Sequence, residues 1–140
     1  MDWHPFIVHY PIAFLTVSPL CDLLALILRR RALHHLAYGM MVLGALAACA
    51  AVLSGNASAD GHWEGSAAAE VSAHEGLATW TLLLALGTAL GRLPLHLRGQ
   101  FRGWLFYVWI GTGVAVGILA ILTGYFGGEL VYVHGVGVGG

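Results

Sequence analysis

At 140 residues the chain is one domain's worth of polypeptide. Apolar residues make up 59% and charged residues 9%, against about 25% charged in an ordinary soluble domain, which excludes a soluble globular fold and a disordered chain. Six arginines, no lysine and seven carboxylates sum to a net charge of −1, so there is no basic field for a nucleic acid.

The uncharged runs locate the spans. Asp2 to Asp22 encloses 19 uncharged residues, Arg31 to Asp60 encloses 28, Glu75 to Arg92 encloses 16 and Arg102 to Glu129 encloses 26. A transmembrane helix needs about 20 apolar residues, and four are predicted, over residues 6–28, 33–54, 72–90 and 104–126. Pro5 suits the start of the first, Pro11 the same first turn, and Pro19 a kink further down. Arg29, Arg30 and Arg31 join the first pair of helices. The linker over residues 55–71 is small, polar and acidic. The third run is only about 24 Å long at 1.5 Å per residue, short of a hydrocarbon core of about 30 Å; the bilayer therefore draws His74 and Glu75 toward it. Arg92, Arg98 and Arg102 are expected in the second inner link, and Gly127-Gly128 is expected to end the fourth helix.

The fold class is all-α: one integral membrane domain over residues 1–140, a four-helix transmembrane bundle of two antiparallel hairpins. Continuous apolar runs do not alternate as barrel strands would, and an open sheet leaves backbone groups unpaired in lipid. The Met1 end has no positive segment or small-residue cleavage site, so it reads as part of the fold rather than a signal peptide. Every arginine falls at one end, which should be cytoplasmic, with both termini and the central linker outside. Trp104, Tyr107 and Trp109 fit an inner aromatic belt; Trp3, Tyr10, Trp63 and Tyr125 fit an outer one. A weak duplication aligns helices two and four at an offset of 69 (Gly44 with Gly113, Ser54 with Thr123, Gly55 with Gly124) and helices one and three at 65 (His9 with His74, Thr16 with Thr81). Parallel hairpin repeats of this kind would set helices one and three diagonally, about 14 Å apart if neighbours pack at about 8–10 Å. That is room for a flat cofactor between two imidazoles.

The eight histidines sort by end. His34, His35 and His96 lie on the arginine side and are read as solvated residues or lipid-phosphate partners. His4, His9, His62, His74 and His134 lie outside with the carboxylates. His9 and His74 sit in first turns of helices one and three and are the favoured axial pair for a b-type haem. His4 and His134 are then supporting groups or ligands of a second haem, and His134 is carried on a tail that folds back over the bundle mouth. The alternative is copper or zinc held by the same four histidines with His62 and Glu75; Glu70 and His74 stand at i, i+4. A proton relay of His9, His74 and Glu75 is a third reading. Gly113 and Gly117 form the small-xxx-small motif of helix packing. Asp22 reads as snorkelling or pairing with an arginine. Cys21 and Cys49 differ in depth by about 15 Å, too far for a disulfide.

The opening His4-Pro5 with Val8-His9-Tyr10-Pro11-Ile12-Ala13, and the ending Gly127-Gly128-Glu129-Leu130-Val131-Tyr132 with His134-Gly135-Val136-Gly137-Val138, resemble the end motifs of a family of small four-helix bacterial membrane proteins of unknown function. Tyr10 stands where that family more often has phenylalanine. The resemblance covers essentially the whole chain. It implies the bacterial inner membrane, with the histidine-rich face periplasmic. Members recur fused to Rieske iron–sulfur or c-type cytochrome domains, which implies redox partners of those kinds and favours haem or quinone over zinc. The expected function is therefore a membrane electron-transfer module rather than a stand-alone enzyme. A cofactor-free structural subunit of a respiratory or photosynthetic complex, or a homo-oligomer, is the remaining reading.

Overall fold

The structure, a computed structural model, describes residues 3–59 and 67–135. It is helical throughout: α1 (His4–Ile7), α2 (His9–Leu28), α3 (Arg31–Ala59), α4 (Ala68–Leu97) and α5 (Trp104–Tyr132). Four spans are long and apolar enough to cross a membrane, with α1 and α2 together forming the first. Pro5 opens α1. The interruption at Val8 has a direct cause: Pro11 has no N–H to give the Ile7 carbonyl, and pairing resumes from the Ile12 N–H to the Val8 carbonyl. Pro19 lies within α2, which continues to Arg29, in the left-handed conformation at φ 53°. The N–H groups of Arg29 and Arg30 both close onto the Ala25 carbonyl there.

Two boundaries correct the sequence expectation. The third span does not stop at residue 90; α4 runs to Leu97 and carries Arg92 inside it. The fourth does not end at Gly127-Gly128; α5 continues through both glycines to Tyr132, since successive intrahelical bonds need no side chain and glycine only weakens them.

The helices form a ring in the order α2, α3, α4, α5, each antiparallel to its neighbours, so α2 and α4 face each other across one diagonal and α3 and α5 across the other. This is the arrangement expected of two parallel hairpins. Both ends of the described chain, the end of α3 and the start of α4 lie at one end, the histidine end; the α2–α3 and α4–α5 turns lie at the arginine end. Thr16 and Thr81, matched in the duplication, both return their hydroxyls to carbonyls four residues back, at 2.6 and 2.8 Å.

The outward surface is apolar, with Leu20, Ile27, Leu53, Leu83, Leu90 and Ile118 among its exposed side chains. That is the surface of a membrane helix bundle, not of a soluble one. Inside, small residues let the backbones approach: Ala45, Ala48, Ala85, Ala89 and Ala120 pack with Leu15, Met41 and Val116 into an apolar core between the two polar ends. Buried hydroxyls pair locally or across helices, as Ser18 does to the Ala37 carbonyl at 2.8 Å and Thr81 with Thr123 at 3.0 Å.

Gly117 marks a close backbone approach in this core. A Cβ there would lie 3.0 Å from Pro19 Cγ and 3.2 Å from the Leu15 carbonyl oxygen, the acceptor that Pro19 leaves without its helical donor. Neither a proline ring nor a backbone oxygen yields easily, so the Gly117→Ala variant should be less stable by about 1–3 kcal/mol. Unfolding in mixed detergent micelles measures this; Gly111→Ala, where a Cβ meets nothing within 4 Å, should stay near the parent.

Candidate functional site

The histidine end opens into a cavity of about 380 Å³ between all four spans, within the size range of small-molecule and cofactor pockets. Its walls are mostly apolar: Val8, Ile12, Val52, Val71 and Leu130 surround it, and its floor is core residue Leu15 with Ala48 and Ala120. His4, His9, His74 and Glu75 also line it. Three of the four favoured histidines therefore reach one space, from diagonally opposed helices.

Each span places its imidazole by a local device. His4 lies in the opening turn made by Pro5, and its Nδ1 is 2.9 Å from Ser54 Oγ. The Ser54 hydroxyl also reaches the Ala51 carbonyl at 3.0 Å, and a His4 ring protonated at Nδ1 donates to Ser54 Oγ. In the neutral ring this puts the lone pair on Nε2. The ring lies over Gly55, where a Cβ would stand 2.9 Å from its Cε1. At the other end of the same diagonal the His74 ring lies over Gly127, again with Cε1 2.9 Å from the position of a Cβ. Among the described residues, buried His74 Nδ1 has no partner of ordinary hydrogen-bond geometry, although the Thr123 backbone stands beside the ring, and buried Glu75 Oε1 likewise has none. His9 is more exposed than either His4 or His74.

The other nominated residues are not brought in. His134 is exposed beyond the end of α5 and does not line the cavity, because α5 carries on where a stop was expected. His62 lies outside the described residues. Glu70 is exposed. Among the described residues no three His, Cys, Asp or Glu side chains come together as a metal-ligand group. Cys21 and Cys49 are free thiols.

The arginine end holds polar chemistry that sequence reasoning missed. Asp22, 1% exposed, accepts from Arg92 Nη2 at 2.7 Å and from Arg92 Nη1, closing a two-pronged pair across the α2–α4 diagonal. His34 Nδ1–H donates to Asp22 Oδ1 at 2.7 Å. Arg92 is 1% exposed and His34 5%, so the expectations that Arg92 lies in a loop and that His34 is solvated are both corrected. The reading of Asp22 as an arginine partner holds, with Arg92 as the partner. The Arg92 guanidinium stands 5.5 Å from the centre of the Phe106 ring, and Phe101 stacks on His34 at 5.2 Å. Beside this group Tyr38 stacks on His96 at 4.1 Å and donates to the Ala89 carbonyl at 3.0 Å. Trp109 was expected in the lipid belt; its ring instead packs onto Gly91 and its Nε1 is buried. Trp104, Tyr107, Trp3, Tyr10 and Tyr125 are exposed as belt residues should be.

Comparison with protein families matches the chain over residues 2–140 to one profile. The chain belongs to the family described as "Predicted membrane protein (DUF2231)". This agrees with the four apolar spans and with the resemblance of the two end motifs, and the description assigns no activity. Neither a curated protein nor a solved structure matches the chain. Any functional reading therefore stands on the cavity itself.

Proposed function

We propose that the protein is a membrane electron-transfer module that holds a b-type haem in the cavity at its histidine end. The observation carrying this is the pair of imidazoles seated on glycines from opposite diagonal helices, His4 over Gly55 and His74 over Gly127, facing one apolar cavity. A flat apolar group held by two imidazoles suits that donor set. It asks for two ligands, whereas a structural zinc or copper site asks for three or four; the ion reading lacks that third ligand among the described residues.

His74 is one ligand in this reading. Of the two imidazoles on the first span, His4 is favoured over His9. Its ring is held by the Ser54 hydrogen bond, as metal-bound histidines are commonly held through their second nitrogen, and it is the less exposed. A bound haem supplies one-electron exchange at its iron. The chain's own residues grip the two faces, keep water from the apolar wall and hold the His4 ring in one orientation. The arginines at the far end favour an orientation with the histidine end periplasmic in a bacterial inner membrane. There the site would face redox partners of the Rieske or c-type cytochrome kind.

The test is spectroscopic. The full chain, expressed with haem supplied and purified in detergent, should carry a Soret band and a low-spin spectrum on reduction. His74→Ala and His4→Ala should each abolish the low-spin signature, while His9→Ala should retain it. Protein that carries no haem by pyridine assay under those conditions overturns the proposal.

A further inference from the structure

The arginine end contains a second pocket, of about 680 Å³, between the α2–α3 turn and the α4–α5 turn. Arg29, Arg30, Arg31 and Arg102 line it, and buried His34 from the first turn of α3 lines it too. We propose that this pocket binds a phosphate group, carried either by a lipid headgroup or by a soluble phosphate.

Charge is the first argument. Asp22, the one acid within the spans at this end, is already taken by Arg92 and His34. Among the described residues the remaining acids, Glu70, Glu75 and Glu129, lie toward the opposite end of the bundle. Among the described residues none of the four pocket arginines has a carboxylate partner. Four arginines lining one concavity set like charges around it, and a multivalent oxyanion offsets their repulsion. Guanidinium forks also match the oxygens of phosphate.

Backbone geometry is the second argument. The pocket includes Gly103, Trp104 and Leu105, the opening of α5. That helix has no side-chain cap; its first internal bond runs from the Tyr107 N–H to the Gly103 carbonyl. The N–H groups of its first turn are thus left for an outside acceptor, at the positive end of a 29-residue helix. The two turns bring arginines and orphan donors together from positions more than 70 residues apart, Arg30 and Arg102. Exposed Trp104 and Tyr107 at the pocket set its depth at the membrane–water boundary, where lipid phosphate and soluble phosphate are both within reach.

Arg98 provides an internal control, because it carries the same charge at the same end but does not line the pocket. The full-length protein in neutral detergent would be titrated with inorganic phosphate by calorimetry. A parallel arm would measure the partition of spin-labelled phosphatidic acid against phosphatidylcholine at the protein in mixed micelles. Binding in the first arm identifies a soluble phosphate ligand, and preference for phosphatidic acid in the second identifies a headgroup; either supports the proposal. Arg30→Gln and Arg102→Gln should each weaken that binding about tenfold, with Arg98→Gln near the parent. All three side chains are exposed, so the fold should survive. No binding in either arm, or an equal loss from Arg98→Gln, overturns it.

Discussion

The Asp22→Ala variant is expected to lose about 3–5 kcal/mol of stability, the range found when one partner of a buried ion pair is removed. The reason is what stays behind. Arg92 would keep a full charge at 1% exposure with no acceptor for two of its N–H groups, and the His34 Nδ1–H would lose its acceptor as well. The two residues belong to α2 and α4, helices that otherwise meet only across the diagonal, so the variant also loses one of the ties between the hairpins at that end. Arg92→Ala should also destabilise, because the buried Asp22 carboxylate then keeps only the His34 hydrogen bond to offset its charge. Replacing both, as Asp22→Leu with Arg92→Leu, should recover much of the loss, since two apolar side chains need no partners. Unfolding in mixed micelles with a graded denaturing detergent would report all three. Single variants within about 0.5 kcal/mol of the parent, a change typical of inconsequential surface positions, would show that the pair does not hold the bundle.

The second large effect is expected at Gly127, and it separates stability from ligand binding. An added methyl at Gly127 would stand 2.9 Å from His74 Cε1, inside van der Waals contact. The obstructed atom is the edge of a side chain that can turn, so the helix need not move. Gly127→Ala should therefore change unfolding by less than about 1 kcal/mol, yet turn the imidazole out of its seat and weaken haem retention by about tenfold or more; positional errors near 1 Å are enough to spoil a preorganised site. Gly55→Ala should do the same beneath His4. Gly76→Ala, next to Glu75 but with nothing within 4 Å of its Cβ, should do neither. Haem titration of the purified variants measures the difference. Parent-like affinity in Gly127→Ala and Gly55→Ala together would remove these seats from the ligand site.

Both cases depend on contacts that composition could not reveal. Asp22 was legible as an unusual intramembrane acid, and an arginine was its expected partner. Counting charges as span boundaries, however, put Arg92 in a loop. A guanidinium 70 positions away belongs to the same layer as Asp22 only once α2 and α4 are diagonal and parallel. His34 was misread for the same reason: position near a basic turn suggested solvent, but Phe101 and Phe106 enclose its ring. His134 failed differently. A glycine pair is a fair stop signal at a helix end, but a glycine within a helix costs only about 1 kcal/mol, and here the chain continues for a further turn with Leu130 buried.

The sequence by itself determined the number of spans, the antiparallel hairpins and the separation of the arginines from His4, His9 and His74. These follow from long uncharged runs and the few charges that interrupt them, since hydrocarbon admits only segments that satisfy their own backbone. It also nominated His4, His9 and His74, which the cavity brings together. Only the tertiary structure decided which glycines sit beneath which imidazoles, which acid meets which guanidinium, and that the basic turns enclose a pocket. Those pairings are set by helix rotation and order around the ring, and rotation depends on how small residues such as Gly117 and Ala120 pack against neighbours distant in the chain. A nearly all-apolar helix leaves its own sequence with no polar face from which to read that rotation.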